Sequence, residues 1–91
     1  MSFRINNTIT AVILAGGLGT RLKSVVSDRP KPMALVNGRP FLEHLLKYWI
    51  SQGVKRFIIS VGYMHNTIID YFGDCFLSCQ IVYIVESFPL G

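Results

Sequence analysis

Apolar positions along the chain fall into two patterns, unbroken runs and helical repeats. Residues 11–15 contain no polar side chain, and residues 54–61 and 81–85 hold further apolar runs, so three strands are predicted, the first a central strand buried on both faces and the second also buried. Residues 41–52 and 64–72 instead repeat apolar side chains every three or four positions, which predicts two helices. This order of elements indicates an α/β fold, a Rossmann-like βαβαβ unit with a parallel sheet.

The helical repeats also predict which side chains are buried. The apolar face of the first helix consists of Leu42, Leu45, Leu46, Trp49 and Ile50, and that of the second consists of Ile68, Ile69 and Phe72. Trp49 is therefore expected in the core. Gly53 and Gly73 follow the two helices and predict their ends, because glycine readily adopts the left-handed conformation that closes a helix.

Turn residues predict the connections between these elements. Asn37-Gly38 lies between short extended segments, and both residues tolerate the positive φ of a type I′ hairpin turn. Pro40 is expected at the first position of the helix that follows. Residues 75–80 are expected to form a connector, and residues 16–33 a loop with a short helix near Leu22–Val26.

The loop after the first strand has the composition of a phosphate-binding segment. Gly16, Gly17 and Gly19 carry no Cβ, so their backbone can approach a ligand closely and present N–H groups to anionic oxygens. Arg21 can bridge two phosphate oxygens, and Lys31 adds a second positive charge between two prolines that restrict its segment. A glycine-rich turn with solvated cations is the competing interpretation, which the combined pattern disfavours.

Three connecting segments are predicted to meet at one edge of the sheet. The glycine loop follows the first strand, Gly62-Tyr63 follows the second, and residues 86–91 follow the third. Because ligands in open parallel sheets bind beyond the carboxyl ends of the strands, this convergence predicts a nucleotide site there.

At this spacing the motifs resemble the signature of a known enzyme family. Leu14-Ala15-Gly16-Gly17-Leu18-Gly19-Thr20-Arg21-Leu22, followed by Pro30-Lys31-Pro32-Met33, looks like the signature of the sugar-1-phosphate nucleotidyltransferases. Residues 23–28 most resemble the guanylyltransferases for D-glycero-D-manno-heptose 1-phosphate and mannose 1-phosphate. The resemblance covers the amino-terminal part of such enzymes, which are much longer.

The resemblance implies an activity and a set of contacts. In this family a sugar 1-phosphate attacks the α-phosphate of a nucleoside triphosphate with the help of Mg²⁺, pyrophosphate leaves, and a nucleotide-sugar forms, for example for lipopolysaccharide or capsule synthesis. Catalytic roles are implied for Arg21, along the phosphate chain, and for Lys31, at the α-phosphate or the sugar phosphate. Nucleotide contacts are implied for Leu14, Ala15, Gly16, Gly17, Gly19, Thr20, Glu86 and Gly91.

Glu86 and Gly91 belong to a segment that resembles the start of the family's base-recognition region. A carboxylate at Glu86 could accept hydrogen bonds from N1 and the N2 amino group of guanine, which favours GTP; a solvated acid at a strand end is an equally open interpretation. Gly91 would let the backbone approach the base. The family's metal-binding aspartates lie beyond Gly91, so no metal ligand is implied within this chain, and turnover by these residues alone is not expected.

Size and composition set further expectations. The 91 residues predict a single nucleotide-binding subdomain, residues 1–91, truncated at its carboxyl end. A hydrophobic share of 51% is high for so short a chain and indicates apolar surface meant for something absent. Self-association is expected, because the third strand and the helices lack later partners. The net charge of +4 comes without a basic stripe interleaved with aromatics, so nucleic acid is not an expected partner. No signal peptide and no apolar run of membrane-spanning length are recognised, which favours a cytoplasmic protein that binds no membrane and has reduced thiols.

Three other functions fit parts of the pattern. Gly17-Leu18-Gly19 begins a dinucleotide-binding motif, but Leu22 occupies the place of its third glycine. A P-loop phosphotransferase requires Gly-Lys followed by Ser or Thr, which does not follow this loop. A non-catalytic nucleotide-binding or interaction module remains open as the alternative to an enzyme.

Overall fold

The computed structural model describes residues 8–15, 25–26, 29–62 and 64–86. The strands are β1 (Ile9–Leu14), β2 (Val25–Val26), β3 (Arg29–Pro30), β4 (Leu35–Val36), β5 (Arg39–Pro40), β6 (Val54–Val61), β7 (Cys75–Phe76) and β8 (Cys79–Val85). The helices are α1 (Phe41–Ser51) and α2 (His65–Phe72), and a 3-10 helix spans Lys31–Met33.

Four strands form the main sheet, in the order β1-β6-β8-β7. β1 pairs with β6 in parallel, β6 pairs with β8 in parallel, and β7 runs antiparallel to β8. Helix α1 precedes β6 and helix α2 precedes the β7–β8 hairpin, so each helix lies in a connection between parallel strands. The predicted βαβαβ unit with a parallel sheet is therefore confirmed.

One hydrophobic core lies between the sheet and both helices. Its fully buried large side chains come from α1, β6 and α2: Leu42, Leu46, Phe57, Ile59, Val61 and Ile68. Ile81 of β8 and Phe72 of α2 belong to the same cluster. Gly53 and Gly73 follow the helices with φ of 104° and 67°, so the predicted helix ends are also confirmed.

The opposite face of the sheet is uncovered in the part of the chain that the structure describes. Val12, Leu14 and Ile84 are 64%, 68% and 53% exposed. The strand register places Val12, Ile58 and Val82 in one row across three strands, so apolar side chains run continuously across this face. In the described residues β1 lies at the edge of the sheet and packs on the core with one face only, so the prediction of a central strand buried on both faces is wrong.

Trp49 is also more exposed than predicted, at 39%. It lies in the last turn of α1, where its ring packs edge-on against Tyr48 at 5.0 Å between centroids. A helical period specifies which side of a helix faces the core, and it does not specify how far along the helix the core extends.

Two short hairpins lie in segments where the sequence predicted a connector and a loop with a short helix. Within residues 75–80, β7 pairs with β8 through a turn in which Leu77 and Ser78 have φ of 49° and 70°. Such turns normally contain glycine or asparagine, so the sequence lacks the usual signal. Val25–Val26 pairs with Arg29–Pro30 where a short helix near Leu22–Val26 was expected; residues 22–24 lie outside the described residues.

The hairpin predicted at Asn37-Gly38 is confirmed. Asn37 and Gly38 have φ of 55° and 80°, between the antiparallel strands β4 and β5. Pro40 ends β5 and stands immediately before α1, one position earlier than predicted. Its extended conformation, with φ −57° and ψ 143°, turns the chain from the hairpin into the helix.

Glu43 of α1 is a buried carboxylate that links the two helices. It is 3% exposed and accepts a hydrogen bond of 2.6 Å from the Tyr71 hydroxyl of α2. Lys47 lies 3.0 Å from the carboxylate and Arg39 lies 3.5 Å from it. The Tyr71 hydrogen bond, opposed by burial and then assisted by Lys47 and Arg39, holds the pKa of Glu43 below its ordinary value of 4.5.

Acid should therefore destabilise the fold through Glu43. Its pKa is lower in the folded chain, so below pH 4.5 the unfolded chain binds the proton more readily. The stabilisation that the ionised Glu43 carboxylate gives to the fold is complete above that pH and is lost as the pH falls through the pKa of the folded chain.

We expect Glu43→Gln to reduce the loss of unfolding free energy at acid pH, measured by urea denaturation across a range of pH. The exposed Asp70→Asn is the control, and an unchanged acid limb in Glu43→Gln would contradict the assignment.

Candidate functional site

The carboxyl ends of the three parallel strands meet at one edge of the sheet. The Ala15 N–H, just after β1, donates to the Ser60 carbonyl at 2.8 Å. The Glu86 N–H, just after β8, donates to the Val61 carbonyl at 2.8 Å. The last residue before the glycine loop and the candidate base-recognition acid therefore both bond to the end of β6, as predicted for a site at this edge.

A cavity of about 490 Å³ opens beside the end of β1. It is lined by Ile13, Leu14, Ala15, Lys31, Pro32, Ala34, Val36, Phe41, Leu42 and Leu45. Lys31 is the charged residue of this lining, which is otherwise apolar. Lys31 is exposed, so its ammonium group is accessible to an anion that binds at this cavity.

Local sequence fixes the segment that carries Lys31. Pro30 has φ −69°, and the Ala34 N–H donates to the Lys31 carbonyl at 2.9 Å, which closes a single 3-10 turn. The Phe41 N–H at the start of α1 donates to the Ala34 carbonyl at 2.8 Å. The backbone of Lys31 is thus tied through Ala34 to the start of α1, while its side chain is exposed.

The hairpin beside the cavity is also fastened to α1. His44 lies within hydrogen-bonding distance of the Val36 carbonyl, with its Nε2 at 2.7 Å. This contact explains why His44 is only partly exposed on the polar side of its helix, and it is structural in character. His65, at the start of α2, similarly lies 3.1 Å from the Gly62 carbonyl through Nδ1.

The structure locates four of the predicted site residues. Leu14, Ala15 and Lys31 line one cavity, and Glu86 lies at the same sheet edge. The remaining candidates lie outside the described residues: Gly16, Gly17, Gly19, Thr20, Arg21 and Gly91. Their roles, and those of the located four, stay predictions.

Sequence reasoning missed Ser60 as a member of this site. Its hydroxyl donates to Oε2 of Glu86, and the residue is 5% exposed. The available signal was a single polar residue within the apolar run of residues 57–61, directly before the strand ends.

No ready-made cluster of metal ligands is found among the described residues. In residues 8–15, 25–26, 29–62 and 64–86, no three His, Cys, Asp or Glu side chains converge as ligands. Glu86 is the carboxylate that the structure places at the sheet edge, whereas Asp70 is exposed on α2. A magnesium ion here would depend on ligands from elsewhere, such as substrate phosphates.

Neither helix in the described part of the chain has the length and apolar character needed to cross a membrane.

The fold and the strand-end motif define a class of protein. Residues 10–91 match the nucleotidyl transferase family, and since this match covers most of the chain, the chain belongs to that family. It is 52% identical over 81 residues to the D-glycero-alpha-D-manno-heptose 1-phosphate guanylyltransferase of Campylobacter jejuni, a match that covers 89% of this chain and 37% of that protein. The enzyme of the same name from Aneurinibacillus thermoaerophilus is 48% identical over 81 residues, covering 89% of this chain and 35% of that protein.

A solved structure shows the same architecture. HddC from Yersinia pseudotuberculosis, crystallised in complex with GMP-PN, matches with a TM-score of 0.75 and 48% identity, covering 92% of this chain and 38% of that one. The resemblance to nucleotidyltransferases, and among them to guanylyltransferases for heptose and mannose 1-phosphates, is therefore confirmed. The chain spans somewhat over a third of the length of these relatives.

Proposed function

We propose that this chain is the nucleotide-binding part of an enzyme that transfers GMP from GTP to a sugar 1-phosphate of the heptose or mannose type. The products are a nucleotide-sugar and pyrophosphate. The main supporting observation is that Leu14, Ala15 and Lys31 line one cavity, while Glu86 lies at the same edge of the sheet, where the parallel strands end. The guanylyltransferase relatives add the reaction class.

The proposed reaction depends on how the two substrates are positioned and on the cations that surround their phosphates. An oxygen of the sugar 1-phosphate attacks the α-phosphorus of GTP, and the bond from that phosphorus to the bridging oxygen of pyrophosphate breaks. Two anions must approach each other, so fixed cations that neutralise the developing charge give the largest rate gain. We assign this role to Arg21, along the triphosphate, and to Lys31, at the α-phosphate or the sugar phosphate.

The base is proposed to lie against Glu86. Guanine presents N1–H and the N2 amino group side by side, and one carboxylate can accept from both. Adenine presents an unprotonated N1 at that position, which a carboxylate repels. Leu14, Ala15, Gly16, Gly17, Gly19, Thr20 and Gly91 would contact the rest of the nucleotide through their backbone or apolar surface.

Mg²⁺ is proposed as the cofactor, held mainly by the nucleotide's phosphates. This ion commonly binds through one or two carboxylates and several phosphate or water oxygens. It would reduce the negative charge of the triphosphate. We place the reaction in the cytoplasm, where it would supply nucleotide-sugar for lipopolysaccharide or capsule.

The competing candidate is a nucleotide-binding module without turnover. It is favoured by one observation, the alignment to only 37% of the length of a guanylyltransferase relative. We propose residues 1–91 as the amino-terminal nucleotide-binding subdomain of a longer enzyme, and we expect binding without appreciable turnover from these residues alone.

Two assays separate these functions. We expect GTP to raise the melting temperature of the chain more than CTP, UTP or dTTP does, because a ligand that binds the folded state stabilises it. Pyrophosphate release from GTP, Mg²⁺ and heptose or mannose 1-phosphate then reports turnover in the longer protein. A larger shift with CTP would overturn the guanine assignment, and no shift with any nucleotide would overturn the site itself.

We also propose that the isolated chain self-associates through the uncovered sheet face. Val12, Leu14 and Ile84 are exposed there, and Arg56 lies towards one end of this face while Glu86 lies at the other. Two copies packed with opposed strand directions would bury the apolar rows and bring unlike charges together. The second copy of the chain is therefore the occupant that we assign to this face.

Ile84→Lys should shift the chain towards monomer in sedimentation velocity. Burying an ammonium group in an apolar contact is costly, so the association should weaken markedly. Leu35→Lys is the matched control, because Leu35 is 56% exposed on the β4–β5 hairpin, away from the sheet face. A monomeric wild-type chain, or equal effects of the two substitutions, would refute this interface.

A further inference from the structure

Ser60 occupies an unusual place on the uncovered face of the sheet. It pairs in register with Leu14 on one side and Ile84 on the other, and these neighbours are 68% and 53% exposed. Ser60 is nevertheless only 5% exposed. A buried hydroxyl needs a hydrogen-bond partner, and here that partner is the Glu86 carboxylate.

Two contacts connect Ser60 to both nucleotide-binding segments. Its backbone carbonyl accepts from the Ala15 N–H, at the entrance to the glycine loop, at 2.8 Å. Its hydroxyl donates to Oε2 of Glu86. One buried residue of β6 therefore holds the candidate base-recognition carboxylate in a defined relation to the start of the loop.

The Ser60 contact fixes the carboxylate without consuming its capacity to bind a base. A serine hydroxyl has one proton, which is committed to Oε2 in this arrangement. An ionised carboxylate offers about four acceptor sites, so about three remain for a ligand. The backbone bond from the Glu86 N–H to Val61 restrains the same residue from its other end.

We propose that Ser60 is the positioning residue for base selection: it orients Glu86 so that this carboxylate accepts from both N1–H and the N2 amino group of guanine. This inference rests on the proposed guanine-binding role of Glu86. Ser60 does not touch the base. It acts by limiting the carboxylate to one orientation, so that the entropy of ordering it is not lost on binding.

Removing the hydroxyl should reduce selectivity. In Ser60→Ala the carboxylate is retained but unrestrained, and we expect the Kd for GTP to rise about tenfold, the upper end of the cost of ordering one free side chain on binding. The Kd for ATP, which offers Glu86 no N1–H, should stay nearly constant. The Kd for ITP, whose base lacks the N2 amino group, should rise less than that for GTP.

The test is calorimetric titration of the chain and its variants with GTP, ITP and ATP, at protein concentrations below self-association. Ser60→Thr keeps the hydroxyl and should restore the GTP preference that Ser60→Ala loses. Equal losses in both variants would show a packing role and overturn the proposal. Should Ser60→Ala not fold, Ser60→Cys, close in size but a weak donor, must show the same fall in preference, or the proposal fails.

Glu86→Gln separates this proposal from the function on which it rests. If Glu86→Gln lowers the preference for GTP and Ser60→Ala does not, positioning by Ser60 is wrong and guanine recognition by Glu86 stands. If neither substitution changes the preference, recognition by Glu86 is wrong, and the role of Ser60 falls with it. Absence of GTP binding by the wild-type chain would overturn the proposed function and this inference together.

Discussion

Arg21→Ala should lower kcat/KM for nucleotidyl transfer by about a thousandfold in the longer enzyme that we propose, with little change in stability. A guanidinium that stabilises charge on a transferring phosphoryl group contributes effects of this order. Because that charge is greatest in the transition state, most of the loss should appear in kcat. Steady-state pyrophosphate release, with thermal unfolding as the measure of folding, provides the test.

The control for Arg21→Ala removes a cation remote from the site. Lys55 is exposed at the start of β6, whereas the proposed site lies at the ends of the strands. Lys55→Ala should leave kcat/KM nearly unchanged. Turnover close to the wild-type value in Arg21→Ala would refute the role of this residue, and a comparable loss in Lys55→Ala would indicate a general effect of net charge.

Phe57→Ala should reduce the free energy of unfolding by about 4 kcal/mol, a cost typical of removing a fully buried phenyl ring. Phe57 is completely buried in the middle strand, opposite Ala11 of β1 and Ile81 of β8. The free energy of unfolding of a small domain is about 5–15 kcal/mol, and a domain with an uncovered sheet face is expected near the lower limit of this range. We therefore expect a large unfolded population in this variant at room temperature.

Urea denaturation followed by circular dichroism measures the loss in Phe57→Ala. Val82→Ala is the matched control, because Val82 lies in the neighbouring strand and is 40% exposed on the uncovered face. Its cost should stay below about 1 kcal/mol. A cost below that value for Phe57→Ala as well would show that the residues around Phe57 do not form the stabilising core.

The elements that local chemistry specifies were predictable from the sequence. Phe41–Ser51 and Val54–Val61 follow directly from helical spacing and from an apolar run, and Asn37-Gly38 specifies its own turn. The signal at Leu77-Ser78 is weak, since neither residue favours positive φ, and that hairpin depends on pairing with β8. Exposure of Val12 and Leu14 was not predictable either, because an apolar run does not reveal whether both faces are covered.

The candidate site, like the fold, was predictable only where local sequence or strand order specifies it. Glycines, cations and strand order predicted the sheet edge where Ala15 and Glu86 lie, because the ends of parallel strands must meet. The hydrogen bond between Ser60 and Glu86 joins residues 26 positions apart, and no local pattern marks such a pair. The link between Glu43 and Tyr71, across 28 positions, was beyond local reasoning for the same reason.

A crystal structure with a non-hydrolysable GTP analogue and Mg²⁺ bound is the most direct test of the proposed nucleotide site. We expect the triphosphate beyond the end of β1, with Arg21 and Lys31 both in contact with its oxygens and the guanine edge against Glu86. Arg21 and Lys31 on opposite sides of the molecule, with the phosphates bound to neither, would contradict the site.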